Sequence, residues 1–141
     1  MKRTILFALI LVAAMACDKK EDANPQPELN SISVPYRQMT SIPTSGSDLK
    51  VELKEVNDSR CPINADCISA GSAKLTLTVS DASNQVDVSM DFKGEPKSNT
   101  QAFTLSGVNY VLSVSEVLPY PEIFKTPRLE DYKIGVSIER K

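Results

Sequence analysis

Val86-Asp87-Val88-Ser89-Met90-Asp91-Phe92 alternates apolar and polar residues at every step. Successive side chains of a strand point to opposite faces, so this stretch has one dry face and one wet face. The same period of two runs outward in both directions. Leu75, Leu77 and Val79 alternate with Lys74, Thr76 and Thr78, and Leu49, Val51 and Leu53 alternate with Lys50, Glu52 and Lys54. Downstream, Phe103 and Leu105 flank Thr104, and Tyr110, Leu112 and Val114 alternate with polar residues, with Val111 breaking the pattern. Tyr132, Ile134, Val136 and Ile138 alternate with Lys133, Gly135, Ser137 and Glu139. Ile32 and Val34 suggest a seventh strand at a sheet edge, interrupted by Pro35, which has no N–H to give a ladder.

The connections are polar and turn-forming. Residues 80–85 carry Asp, Ser and Asn, residues 93–100 carry Gly94 and Pro96, and Ser106-Gly107 is a tight-turn signal. No window of ten or more residues carries a helical apolar stripe. About seven strands in ~110 residues predict an all-β chain, a single antiparallel β-sandwich of the Ig-like kind. A small β-barrel is the alternative. Residues 29–141 form this body.

The chain starts differently. Lys2 and Arg3 precede an unbroken apolar run from Ile5 to Ala16. A basic start, an apolar stretch and small residues make a secretory signal over residues 1–16. The run falls short of the ~20 residues a spanning helix needs. Ala14-Met15-Ala16-Cys17 resembles the lipobox of bacterial lipoproteins, with Ala14 where Leu is usual. The resemblance implies that Cys17 becomes the first residue and carries the lipid; plain cleavage after Ala16 is the alternative. The cysteine count agrees. Of three Cys, Cys61 and Cys67 are close enough to pair in an oxidising compartment, which leaves Cys17 for the thioether.

Residues 17–28 are charged and then Pro-rich and read as a disordered tether. Within them, Lys20-Glu21-Asp22 resembles the surface-export signal of Bacteroidetes lipoproteins. That resemblance implies an outer-membrane lipoprotein exposed at the cell surface; a periplasm-facing anchor is the alternative.

The most distinctive stretch is Asp58-Ser59-Arg60-Cys61-Pro62, followed by Cys67 and Ala70-Gly71. With Leu118-Pro119-Tyr120-Pro121 and Asp131-Tyr132, it resembles a group of small lipoproteins of the Bacteroidetes. Those proteins often carry an aromatic, commonly Trp, where this chain has Ser69. The resemblance implies location and fold and brings no activity with it. Physically, Asp58, Arg60 and a Cys61–Cys67 bridge can pin a long connection between sheets, or they can stiffen a displayed loop that binds a partner. Tyr120 and Phe124 sit in a Pro-framed segment that either covers one end of the core or forms an aromatic contact site.

Composition narrows the function. There is no His, which removes the commonest general base and metal ligand. The Cys61/Cys67 spacing is not Cys-x-x-Cys, and no further Cys completes a zinc site. Asp58 and Asp66 lack the ligand order of a calcium loop. Without residues 1–16 the chain has 14 cations, the total of 16 less Lys2 and Arg3, against 18 acids. That balance argues against nucleic acid. No catalytic residue, metal or cofactor is expected. The expected role is non-catalytic, a binding or structural domain at the cell envelope. It would be anchored in the membrane through its N-terminal lipid and face an envelope or extracellular protein or a glycan. An inhibitor of secreted proteases is the alternative.

Overall fold

The computed structural model describes residues 30–95 and 99–141. The signal, Cys17, the tether and Pro96 therefore lie outside the described residues. Eight strands follow in order: β1 (Ile32–Pro35), β2 (Met39–Ile42), β3 (Leu49–Asp58), β4 (Ala73–Ser80), β5 (Gln85–Phe92), β6 (Thr100–Leu105), β7 (Val108–Leu118) and β8 (Lys133–Arg140). They form two four-stranded antiparallel sheets, β1-β8-β7-β6 and β2-β3-β4-β5, which do not close into a barrel. The expected sandwich is present, with β1 at a sheet edge and ending at Pro35. The additional strand is β2. Its four residues include exposed Met39, and only Ile42 is buried, so its alternation is too short to register as a strand signal.

Connectivity differs from that of an immunoglobulin domain. Every hydrogen-bonded neighbour is a neighbour in sequence except the β1–β8 pair, whereas the immunoglobulin sandwich uses Greek-key crossings. The order is that of an up-and-down barrel opened along the β1/β2 and β5/β6 seams. The four odd-to-even connections consequently emerge at one end, here called the loop end. The longest two, 59–72 and 119–132, lie there. β1 runs antiparallel to β8, toward the loop end.

The interior is built as the alternation requires. Val51, Leu53, Leu75, Leu77, Val88, Met90, Leu112, Ile134 and Val136 are all buried. Burying such a side chain contributes roughly 1.5–3 kcal/mol. At the far end, Ser106 and Gly107 both take positive φ, 50° and 77°, the geometry of a two-residue turn whose twist matches its strands. The Ser106 hydroxyl is bonded to the Asp81 carboxylate and accepts from Asn84 Nδ2 at 2.8 Å, tying the far-end turns of the two sheets together.

Two bulges set what happens at the loop end. In β3 the pairing slips between Leu53 and Glu55, and in β7 between Val114 and Glu116. A bulge adds one residue to one strand and reverses which side chains face inward beyond it. Without the first, Glu55 and Asn57 would enter the core. With it, Val56 lies opposite Leu75 and Asp58 opposite Ala73, both on the inner face. The second bulge likewise brings Val117 opposite Ile134.

Candidate functional site: an apolar loop end on a buried ion pair

The β3 bulge aims the Asp58 carboxylate into the protein just where the chain leaves the sheet. Arg60 follows two residues later and turns back onto it. Arg60 Nε donates to Asp58 Oδ1 at 2.8 Å and Nη2 donates to Oδ2 at 2.7 Å, a two-pronged pairing that a planar guanidinium is shaped to make. The Arg60 backbone N–H adds a third bond to Oδ1 at 3.1 Å. The guanidinium also donates to the Val117 carbonyl at 2.9 Å and the Pro119 carbonyl at 3.1 Å, at the end of β7. Tyr132, immediately before β8, donates its hydroxyl to Asp58 Oδ2 at 3.1 Å. One carboxylate and one guanidinium thus join the ends of strands from both sheets. The Arg60 and Asp58 side chains are 4% and 5% exposed.

Aromatic rings close the space around the cation. Arg60 Cζ lies 4.5 Å from the Tyr120 ring centroid and 6.0 Å from that of Phe92. Burial, the largest single influence on Asp58, opposes its ionisation. The hydrogen bonds and charge of Arg60, with the Tyr132 hydroxyl, together outweigh it and hold the carboxyl below its ordinary range. Burial first, then the charge and hydrogen bond of Asp58, push Tyr132 up to about 12, so it remains a donor across the physiological range.

Above this network sits the Cys loop. Cys61 and Cys67 are joined by a disulfide with Cα atoms 5.9 Å apart. The two limbs of the 59–72 connection run together: Ser59 N–H donates to Ser72 O at 2.9 Å and Cys61 N–H to Ala70 O at 2.8 Å. Gly71 permits this approach. Its φ is +68°, and a Cβ there would stand 2.0 Å from Ser59 O. The loop is tied in turn to the 119–132 connection, because Ile63 N–H donates to Pro121 O at 3.0 Å and Ile123 N–H to Asn64 Oδ1 at 2.8 Å.

The two joined loops present apolar side chains outward. Of seven exposed large apolar residues among the described residues, Ile63, Ile68, Tyr120, Ile123 and Phe124 are on these two loops between 63 and 124. Ile68 is as exposed as in an open chain and Phe124 is 96% exposed. Contiguous apolar surface on a monomer marks a contact site, and Ile63 and Ile123 stand beside the bonds that join the two loops.

The structure therefore separates the expected site residues. Asp58 and Arg60 face inward as the pin of the loop end, and Tyr120 bridges pin and surface. Phe124 lies at the surface, while Cys17 lies outside the described residues. Sequence reasoning missed Ile63 and Ile68 as surface groups and Tyr132 as the partner of Asp58; Ile123, in the same Pro-framed segment as Tyr120 and Phe124, is exposed with them. Tyr132 carried a core-strand signal that hid its polar tip. The isoleucines sit outside every period-two run, and that was the available clue. Among the described residues no group of three or more His, Cys, Asp or Glu could hold a metal.

No protein-family model matches this chain, and neither a curated protein nor a solved structure matches it significantly.

Proposed function

We propose that this chain is a lipid-anchored, non-catalytic binding domain of a bacterial cell envelope, displayed at the outer membrane surface. The resemblance of residues 14–17 to a lipobox and of residues 20–22 to a surface-export signal supports the location. The observation that carries the binding role is the set of outward apolar side chains on two cross-tied loops above a buried ion pair. A rigid support lowers the ordering cost of association, so such loops retain more of their contact energy on binding. The partner in this reading is an envelope or extracellular protein with an apolar cleft.

A second reading has one specific observation in its favour. All four odd-to-even connections emerge at one end, and Ile68 and Phe124 project from it. Projecting rigid loops can enter an enzyme cleft, so inhibition of a secreted protease fits the same surface.

The test compares four proteins on intact cells by affinity capture and mass spectrometry. Wild type should retain one partner, and Ile68→Asp with Phe124→Asp should lose it at an unchanged melting temperature. Asp87→Ala, on an outer strand face, should retain it. Cys17→Ser should abolish membrane association. Retention that survives the loop-end double variant would sink the proposal, and a purified partner with proteolytic activity would select the second reading.

A further inference from the structure

A second surface is chemically unlike the loop end. A groove of about 830 Å³ is lined by residues of β3, β4 and β5, by Tyr36 and Arg37, and by Gln101 of β6 and Leu129 from outside that sheet, a volume within the ~300–1,000 Å³ typical of small-ligand sites. Its floor holds Thr76 and Ser89, whose hydroxyls lie 3.5 Å apart on paired strands. Asn57, Lys74 and Asp91 stand along one level of the sheet, since Asn57 pairs with Lys74 and Lys74 with Asp91. All three are exposed, and none of their side chains has a hydrogen bond or ion pair among the described residues. Tyr36 forms part of the wall, with the Arg37 guanidinium 5.4 Å from its ring centroid.

The lining selects by elimination. An anionic ligand would meet Glu55 and Asp91, and a cationic one would meet Lys74 and Arg37. The two signs balance, so neither is favoured. An apolar ligand would strip water from Asn57, Lys74, Thr76, Ser89 and Asp91 without pairing them, a cost that the contacts offered by Tyr36, Val56 and Leu129 would have to offset. A hydroxyl group both donates and accepts. A chain of hydroxyls can therefore use Lys74 and Asn57 as donors and Asp91, Glu55 and the Asn57 carbonyl as acceptors. The C–H face of a sugar ring can pack on Tyr36.

We propose that this groove binds an uncharged oligosaccharide. The groove spans several strands, which favours an extended ligand over a single sugar. Leu129 of the 119–132 connection lines the groove, but Ile68 and Phe124 do not, so either reading can fail without the other.

The test uses the full-length protein in lipid nanodiscs and isothermal titration with neutral linear hexasaccharides of glucose, mannose and xylose. At least one should bind. Asp91→Ala and Asn57→Ala, both at exposed strand positions, should each weaken it about tenfold or more, the scale of a lost hydrogen bond to a charged or amide group. Ile68→Asp with Phe124→Asp should leave it unchanged. The proposal is overturned if none of the three binds, if binding ignores Asp91→Ala and Asn57→Ala, or if it disappears with the loop-end variant. Preferential binding of a sulfated hexasaccharide overturns it as well, since that would mean the lining reads charge.

Discussion

Tyr132 donates its phenolic hydroxyl to Asp58 Oδ2 at 3.1 Å, joining residues 74 positions apart in the chain. The bond links the end of β3 in one sheet to the residue immediately before β8 in the other. Arg60 bonds both oxygens of the same carboxylate, so one buried polar centre holds the loop end.

Arg60→Ala should strand the Asp58 carboxylate in the interior. Removing one member of a buried pair typically costs about 3–5 kcal/mol. Arg60→Lys should be intermediate, because an ammonium keeps the charge but lacks the planar fork. Urea unfolding measures both. A loss below about 0.5 kcal/mol for Arg60→Ala, the range of an ordinary surface change, would mean that the pair does not hold the loops.

Stability should fall at both extremes of pH for identifiable reasons. Folding lowers the proton affinity of Asp58. Its contribution is therefore complete above the unfolded carboxylate value of ~3.9 and is lost as pH falls through the lower folded value. Folding raises that of Tyr132 to about 12. Its contribution is complete below the unfolded value of ~10 and is lost as pH rises from there toward the folded one. Urea midpoints measured against pH should show that Tyr132→Phe flattens the alkaline limb and alters the acid limb only slightly, since the lost hydroxyl is the smallest of the influences holding Asp58 down. An alkaline limb unchanged by Tyr132→Phe would contradict this.

Gly71→Ala should cost more than Gly94→Ala, although both glycines have positive φ. At Gly94 a Cβ meets nothing within 4 Å, so only the backbone preference is felt. That term is about 1 kcal/mol. At Gly71 the Cβ would also strike Ser59 O. Adding that displacement should bring the loss to roughly 1–3 kcal/mol, read by thermal or urea unfolding. Equal losses at the two sites would show that the loop limbs are free to separate.

The sandwich was legible because its core strands are half-buried. Val88, Met90 and Phe92 point inward while Asp87, Ser89 and Asp91 face water, and the chemistry of each residue reports its side. The bulges were harder to see, since strict alternation predicts the wrong face beyond Leu53 and Val114. The trace they leave is a spacing of three, Leu53 to Val56 and Val114 to Val117. The pin was partly legible. Asp58 and Arg60 stood out as a charged pair beside two cysteines, but their inward direction depends on the β3 bulge and on carbonyls of Val117 and Pro119 nearly 60 residues away. The outward isoleucines had no periodic context, because loop exposure is settled by the loop's own ties and not by alternation.

Reducing Cys61–Cys67 should loosen the loop without unfolding the sandwich. A loop this short restrains the unfolded chain by about 2 kcal/mol, and the twenty-one buried apolar residues of the core do not depend on it. Far-ultraviolet circular dichroism should keep its β signature in reductant, and the urea midpoint should drop modestly. Complete unfolding on reduction would mean that the bridge, and not the core, holds the domain.

The claim that the apolar loop end meets a partner is tested most directly by site-specific photocrosslinking on intact cells. A benzophenone side chain is placed at Phe124, on the loop end, and separately at Ala82, in a far-end turn. Phe124 should give a single discrete adduct and Ala82 none. Adducts of equal yield at both positions, or none at Phe124, would contradict the account.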